Sequence, residues 1–269
     1  MNDVILAGSA GFCYGVKRAV ELAERTAREA GQCWMLGDLI HNTHVVEDLA
    51  NKGVRKTADP AALTAGDTVV IRSHGEVKSV LDHLERQGGT CVNATCPNVI
   101  RIQRLVAQAE AEGRQPVIIG EPSHPEVVGV ASWCSHPLVF DGPEAVQRWL
   151  AEDPHRREIP LTVVAQTTCI RELFETSCEI VKKECTNAKI FDTICDATQK
   201  RQTDICSKRC SRVFQVEDAD ELPAGWARGC RAAGLTAGAS TPAGIIKEVY
   251  AAMSEEIKAA EGKEESFEE

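Results

Sequence analysis

Aromatic residues are scarce in this chain, only 4% of its 269 residues. Its core must therefore be built largely from aliphatic side chains. No apolar run is long enough to span a bilayer, so no membrane partner is expected. An excess of positive charge is missing too. The formal charge is −10, which argues against nucleic acid as the main partner. The opening residues, Met1-Asn2-Asp3-Val4-Ile5-Leu6-Ala7, lack the basic start of a secretion signal and read as a first strand; a cytoplasmic chain is expected. Without such a signal, the 12 cysteines are not expected to form a disulfide framework. No Cys-x-x-Cys pair occurs among them, which argues against a zinc ribbon or finger.

What the chain does have is alternation. Apolar runs at 4–7, 34–36, 68–72, 116–120, 161–165, 190–194 and 234–237 read as strands. Stretches with helical spacing at 16–30, 45–51, 77–87, 99–112, 143–151, 170–183 and 241–257 lie between or after them. Strand–helix alternation predicts an α/β fold with mostly parallel sheets and crossover helices. In such sheets ligands bind beyond the carboxyl ends of the strands.

Three cysteines share one kind of setting: Cys13 in Gly11-Phe12-Cys13-Tyr14-Gly15, Cys96 in Ala94-Thr95-Cys96-Pro97, and Cys195 in Thr193-Ile194-Cys195-Asp196. Each leaves an apolar run and precedes a helical stretch, where free N–H groups and the helix dipole favour a thiolate. Three such thiolates could hold one iron–sulfur cluster with one iron left open. They lie roughly 80 to 100 residues apart, the length of a small α/β unit. That spacing suggests domains at 14–95, 96–194 and 1–13 plus 195–253, followed by an acidic tail at 254–269. Cys33, Cys91, Cys134, Cys169, Cys178, Cys185 and Cys230 read as small buried hydrophobes, and Cys206 and Cys210 as structural.

Polar motifs crowd the predicted strand exits. They are Gly37-Asp38-Leu39-Ile40-His41-Asn42, Arg72-Ser73-His74-Gly75, His124-Pro125-Glu126-Val127, Gln166-Thr167-Thr168 and Gly238-Ala239-Ser240-Thr241-Pro242. Histidines, hydroxyls and helix N-termini are the groups that hold a phosphate or diphosphate. Glu126 stands two residues past His124, so both can face one pocket if that loop is extended.

Eight motifs occur in the order found in the 4-hydroxy-3-methylbut-2-enyl diphosphate reductases, and the chain resembles that family from about residue 4 to 253. They are Gly-Phe-Cys-x-Gly-Val-x-Arg-Ala-Val (11–20), Ile-His-Asn (40–42), Arg-Ser-His-Gly (72–75), Ala-Thr-Cys-Pro (94–97), His-Pro-Glu-Val (124–127), Gln-Thr-Thr (166–168), Ile-Cys-Asp-Ala-Thr (194–198) and Thr-Ala-Gly-Ala-Ser-Thr-Pro (236–242). The resemblance implies three α/β domains in a trefoil around a central [4Fe–4S] cluster held by Cys13, Cys96 and Cys195. It implies that His41, His74, His124 and Ser240 contact the substrate diphosphate. Glu126, with Thr167 or Thr168, would deliver a proton to the allylic hydroxyl. Two-electron reductive dehydroxylation would then give isopentenyl and dimethylallyl diphosphates, with a ferredoxin or flavodoxin as electron donor and a monomeric enzyme.

One departure stands out. After Cys195-Asp196-Ala197-Thr198-Gln199 the family has a further strand and helix and a loop that binds diphosphate through Ser-x-Asn. Here the chain runs almost directly into Asp204-Ile205-Cys206, and no Ser-x-Asn follows. The missing piece is about 30 residues, one strand-plus-helix unit. The third domain is expected to be short, its sheet to expose an edge or a patch of core, and turnover to be reduced or absent while the cluster still binds. Two other readings of the residues stay open: a non-catalytic relative that keeps the cluster or the fold, and a zinc- or phosphate-binding module. The final residues resemble the linker that leads, in some bacterial relatives, to repeated RNA-binding barrels.

Overall fold

The computed structural model describes residues 3–8, 10–40, 42–195, 210, 212–230 and 232–264. The chain divides into two compact units, one formed by residues 14–199 and the other by 1–13 with 200–269.

The larger unit carries two four-stranded parallel sheets. The first has the order β3-β2-β4-β5, from β2 (Cys33–Leu36), β3 (Val54–Thr57), β4 (Thr68–Ile71) and β5 (Thr90–Asn93). The second has the order β7-β6-β8-β9, from β6 (Gln115–Ile119), β7 (Leu138–Phe140), β8 (Leu161–Ala165) and β9 (Ala188–Ile190). Helices α1 (Tyr14–Ala30), α2 (Thr43–Asn51), α3 (Lys78–Gln87), α4 (Pro97–Ala111), α5 (Pro125–Ala131), α6 (Pro143–Glu152) and α7 (Arg171–Glu184) alternate with the strands. The central strands are apolar along their length: all of Leu161–Ala165 is buried, as continuous runs in covered parallel sheets should be. Aliphatic residues such as Ile118, Ile119, Val163 and Val164 form the packed interior, as the shortage of aromatics requires.

Strand order fixes where ligands can go. In the first sheet the chain moves outward from β2 to β3, then returns to β4 and moves the other way to β5. The second sheet repeats this with β6, β7, β8 and β9. Each sheet therefore has a switch point, between β2 and β4 or between β6 and β8, where the outgoing connections diverge and leave a crevice. The connections after β2 and β4 carry 37–40, 42 and 72–75. Those after β6 and β8 carry 121–124, followed by the start of α5, and 166–168.

The smaller unit holds a two-stranded parallel sheet of β1 (Asp3–Leu6) and β10 (Ala232–Leu235), with α8 (Ala243–Glu264). Val4, Trp226, Ala227, Val249, Met253 and Ile257 form its core.

Several expectations needed correction. Strands β3, β5 and β7 and helix α5 were not anticipated. All three strands are sheet edges of three or four residues; β3 buries only Val54 and β5 none of its residues, while β7 is a short apolar run, Leu138-Val139-Phe140, that was passed over. The strand expected at 190–194 pairs only at Ala188–Ile190. Cys91 is exposed on edge strand β5 and is no buried hydrophobe, and Cys134 and Cys230 are only half-buried. Cys33, Cys169, Cys178 and Cys185 are buried. Every described cysteine is free of disulfides.

Candidate active site

Glu126 is the more deeply buried of two buried acids among the described residues of the larger unit, at 3% exposed against 7% for Glu76. It does not lie on an extended loop. Pro125 opens α5 at its first turn, and His124 caps it: the Glu126 N–H donates to His124 Nδ1 at 3.1 Å. Nδ1 is thereby an acceptor, so the neutral ring carries its proton on Nε2. The Glu126 side chain turns inward to the end of β8. Thr167 donates to it twice, from N–H to Oε1 at 2.6 Å and from Oγ1 to Oε2 at 2.5 Å. Burial pushes the Glu126 carboxyl above its ordinary range, against the pull of the two Thr167 bonds.

Thr168 is placed differently. It is exposed and accepts from Gln166 Nε2 at 2.7 Å, while Gln166 Oε1 accepts from the Glu121 N–H at 3.0 Å. Gln166 thus ties the β6 and β8 exits together. Gly120 is needed for that approach, since a Cβ there would sit 2.7 Å from the Cβ of Gln166.

His74 is buried in the turn after β4. Gly75 adopts φ +86°, which favours glycine, and the Gly75 N–H donates to Arg72 O at 3.0 Å. Arg72 bridges this turn, donating to Gly75 O at 3.2 Å and pairing with the Glu76 carboxylate at 3.1 Å. Ser73 donates from N–H and Oγ to Leu39 O, which joins the β4 exit to the β2 exit. His41 lies outside the described residues. The His74 turn also meets α5: the backbone of Glu76 packs on Gly129, and the Lys78 N–H donates to Ser132 Oγ at 2.9 Å.

Cys96 and Cys195 are half-buried and arrive by different devices. The Cys96 N–H donates to Ser73 O at 2.8 Å, beside His74. Arg18 on α1 grips the segment before it, donating to Thr95 O and Asn93 O. Cys195 sits past the end of β9, where Thr193 replaces the strand ladder with its side chain. The Ala165 N–H donates to Thr193 Oγ1 at 2.8 Å, and that hydroxyl donates to Ala165 O at 2.6 Å. The Cys195 N–H then donates to Thr167 O at 2.8 Å, next to the Glu126 partner. Asn98 Nδ2 donates to Cys195 Sγ at 3.5 Å, joining the start of α4 to the second cysteine. Residues 196–198 of the Ile-Cys-Asp-Ala-Thr motif, the sequence around the deletion and Cys206 lie outside the described residues.

In the smaller unit the Cys13 N–H donates to Ala239 O at 3.1 Å, placing Cys13 against the loop that carries Ser240. Gly11, at φ +102°, lets the segment before Cys13 pass Ile246: a Cβ there would lie 3.2 Å from Ile246 Cδ1.

The larger unit therefore brings together Cys96, Cys195, His74, His124, Glu126 and Thr167, and the smaller unit Cys13 and Ser240. Arg18, Asn98, Gln166 and Thr193 take part without having been singled out. Arg18 and Gln166 stand inside quoted motifs, and Thr193 and Asn98 stand two residues from a cysteine; those were the available signals.

Fold and site define an α/β protein that gathers single thiols, histidines and a buried acid at the carboxyl ends of parallel strands. A family model described as LytB protein matches residues 4–207 and 203–254, and the chain belongs to that family. The 4-hydroxy-3-methylbut-2-enyl diphosphate reductase of Caldanaerobacter subterraneus subsp. tengcongensis is 35% identical over 297 residues, covering 98% of this chain and 99% of its own. The enzyme of that name from Geobacter sulfurreducens is 36% identical, covering 94% of this chain and 97% of its own. A solved structure of (E)-4-hydroxy-3-methyl-but-2-enyl diphosphate reductase, described as the terminal enzyme of the non-mevalonate pathway, superposes with TM-score 0.72 at 32% identity. It covers 95% of this chain and 100% of that one. The alignment to the Caldanaerobacter relative is longer than this chain, and the family match breaks near residue 205. Both facts agree with an internal deletion there. Among the described residues no helix is long and apolar enough to cross a membrane.

Proposed function

We propose that this chain is a cytoplasmic iron–sulfur reductase of 4-hydroxy-3-methylbut-2-enyl diphosphate, with Cys13, Cys96 and Cys195 holding a [4Fe–4S] cluster. The donor set fits such a group. Three single thiols at strand exits leave one of four irons open, and two of them already share one neighbourhood through Ser73, Thr167 and Asn98. When bound, such a cluster supplies electrons, received from a ferredoxin or flavodoxin, and Lewis acidity at its open iron.

The observation that carries the reading is the buried, doubly bonded Glu126. Its raised pKa makes the carboxyl hold a proton more readily than an ordinary glutamate, which suits a general acid. The Thr167 N–H on Oε1 can only donate, so a carboxyl proton belongs on Oε2, where the Thr167 hydroxyl turns to accept it. There the Thr167 hydroxyl can relay it toward the substrate oxygen. With two electrons and two protons consumed, the allylic C–O bond breaks and water leaves. The second proton goes to either end of the allyl unit, giving isopentenyl or dimethylallyl diphosphate.

His74, His124 through Nε2, Ser240 and His41 contact the diphosphate, which does not react and serves to position the carbon that does. The missing Ser-x-Asn loop removes donors to a charged group, about 1.5–3 kcal/mol each. A KM well above that of the full-length relatives follows. Glu126→Gln tests the reading: cluster absorption should persist while turnover falls by about 10²–10⁴-fold. Undiminished turnover in that variant would remove the acid from the mechanism.

A further inference from the structure

We infer that Asn98 is a positioning residue that acts through the Cys195 sulfur and raises the reduction potential of the cluster. This rests on the cluster reading given above. Asn98 is exposed at the second residue of α4, two positions past the capping residue Cys96 and so not placed to cap the helix itself. Pro97 lacks an N–H at the first position, and Cys96, the capping residue, makes no side-chain cap bond. The Asn98 amide instead reaches across 97 positions of sequence and donates to Cys195 Sγ at 3.5 Å, within the range of a bond to sulfur.

Both ends of this contact are fixed. Asn98 is carried on α4, whose Val99, Ile102 and Val106 are packed in the core. Cys195 is held by the Thr167 carbonyl and, two residues earlier, by the Thr193 hydroxyl on Ala165. The donor is therefore preorganised toward the sulfur. On one-electron reduction by an external donor, part of the added negative charge falls on the ligating sulfurs. An N–H aimed at such a sulfur stabilises the reduced form more than the oxidised one, which shifts the potential upward. Asn98 is also an inferior helix former at a surface position, so helix propensity does not account for it.

The test compares wild type, Asn98→Leu and Asn98→Asp after anaerobic loading with iron and sulfide. Iron content and absorption are recorded first, then the midpoint potential by dithionite-poised electron paramagnetic resonance. All three proteins should carry the same iron. The potential should fall from wild type to the leucine variant, which lacks the donor. It should fall further in the aspartate variant, whose similar shape sets a carboxylate against the sulfur. Equal potentials overturn the inference. Loss of iron from either variant while the wild type stays loaded also overturns it, because a residue that only tunes the sulfur is dispensable for assembly. A wild type that takes up no cluster refutes the cluster reading itself.

Discussion

The second sheet of the larger unit and the strand pair described in the smaller one both begin from apolar runs, yet they treat them differently. Every residue of β8 is buried, with a strand on each side and helices over its faces. In β1, Ile5 is 63% and Leu6 45% exposed. Four strands with crossover helices can cover a parallel sheet; two strands cannot, and a pair alone is marginal in water. The sheets that position Glu126 and Thr167 are four strands wide, whereas among the described residues the sheet that leads to Cys13 and Ser240 has two.

The sharpest way to break this contrast is a matched pair of truncations. Ile118→Ala, at a fully buried position of β6, should cost about 2–5 kcal/mol in urea denaturation. Ile5→Ala should cost under about 0.5 kcal/mol, as at other exposed sites. Similar losses at both positions would mean that the β1 face is covered in solution.

Thr193→Val comes next, at about 1–3 kcal/mol, because it leaves the Ala165 N–H and C=O without their partner. It should also lower iron occupancy, since it loosens the approach to Cys195. A stable variant with full iron would show that Thr193 does not set the cysteine.

A smaller effect is expected from pH. Burial keeps Glu126 protonated in the folded chain at pH values where the unfolded chain has ionised it. The group is neutral in both states below the unfolded carboxyl pKa of about 4.3. As pH rises through the raised folded value, the wild type must lose stability relative to Glu126→Gln. Denaturation midpoints of the two proteins across that range check the sign; parallel curves would mean that Glu126 is ionised in the fold.

Much of this was legible in the sequence, for particular reasons. Buried central strands announce themselves as apolar runs, so β2, β4, β6 and β8 and the polar motifs at their exits could be placed. Edge strands β3 and β5 carry no such run, because one side of each has no partner to bury against, and β7 offers only the three residues Leu138-Val139-Phe140. The stretch 125–131 reads as a loop because His-Pro is a common turn, and only the capping bond from Glu126 to His124 makes it a helix start. Glu126 and Thr167 were visible as motif residues, but the raised carboxyl comes from burial, which no spacing reveals. Thr193, Arg18 and Asn98 act on residues 28, 75–77 and 97 positions away, so their roles exist only once the sheets have formed.

The central claim is that three thiols from distant segments hold one cluster. It is tested most directly by anaerobic reconstitution of wild type and of the Cys13→Ser, Cys96→Ser and Cys195→Ser variants, with iron, sulfide and visible absorption measured together. The account predicts a brown wild type and loss of the absorption in each single variant. A colourless wild type, or serine variants that keep full iron and colour, would contradict it.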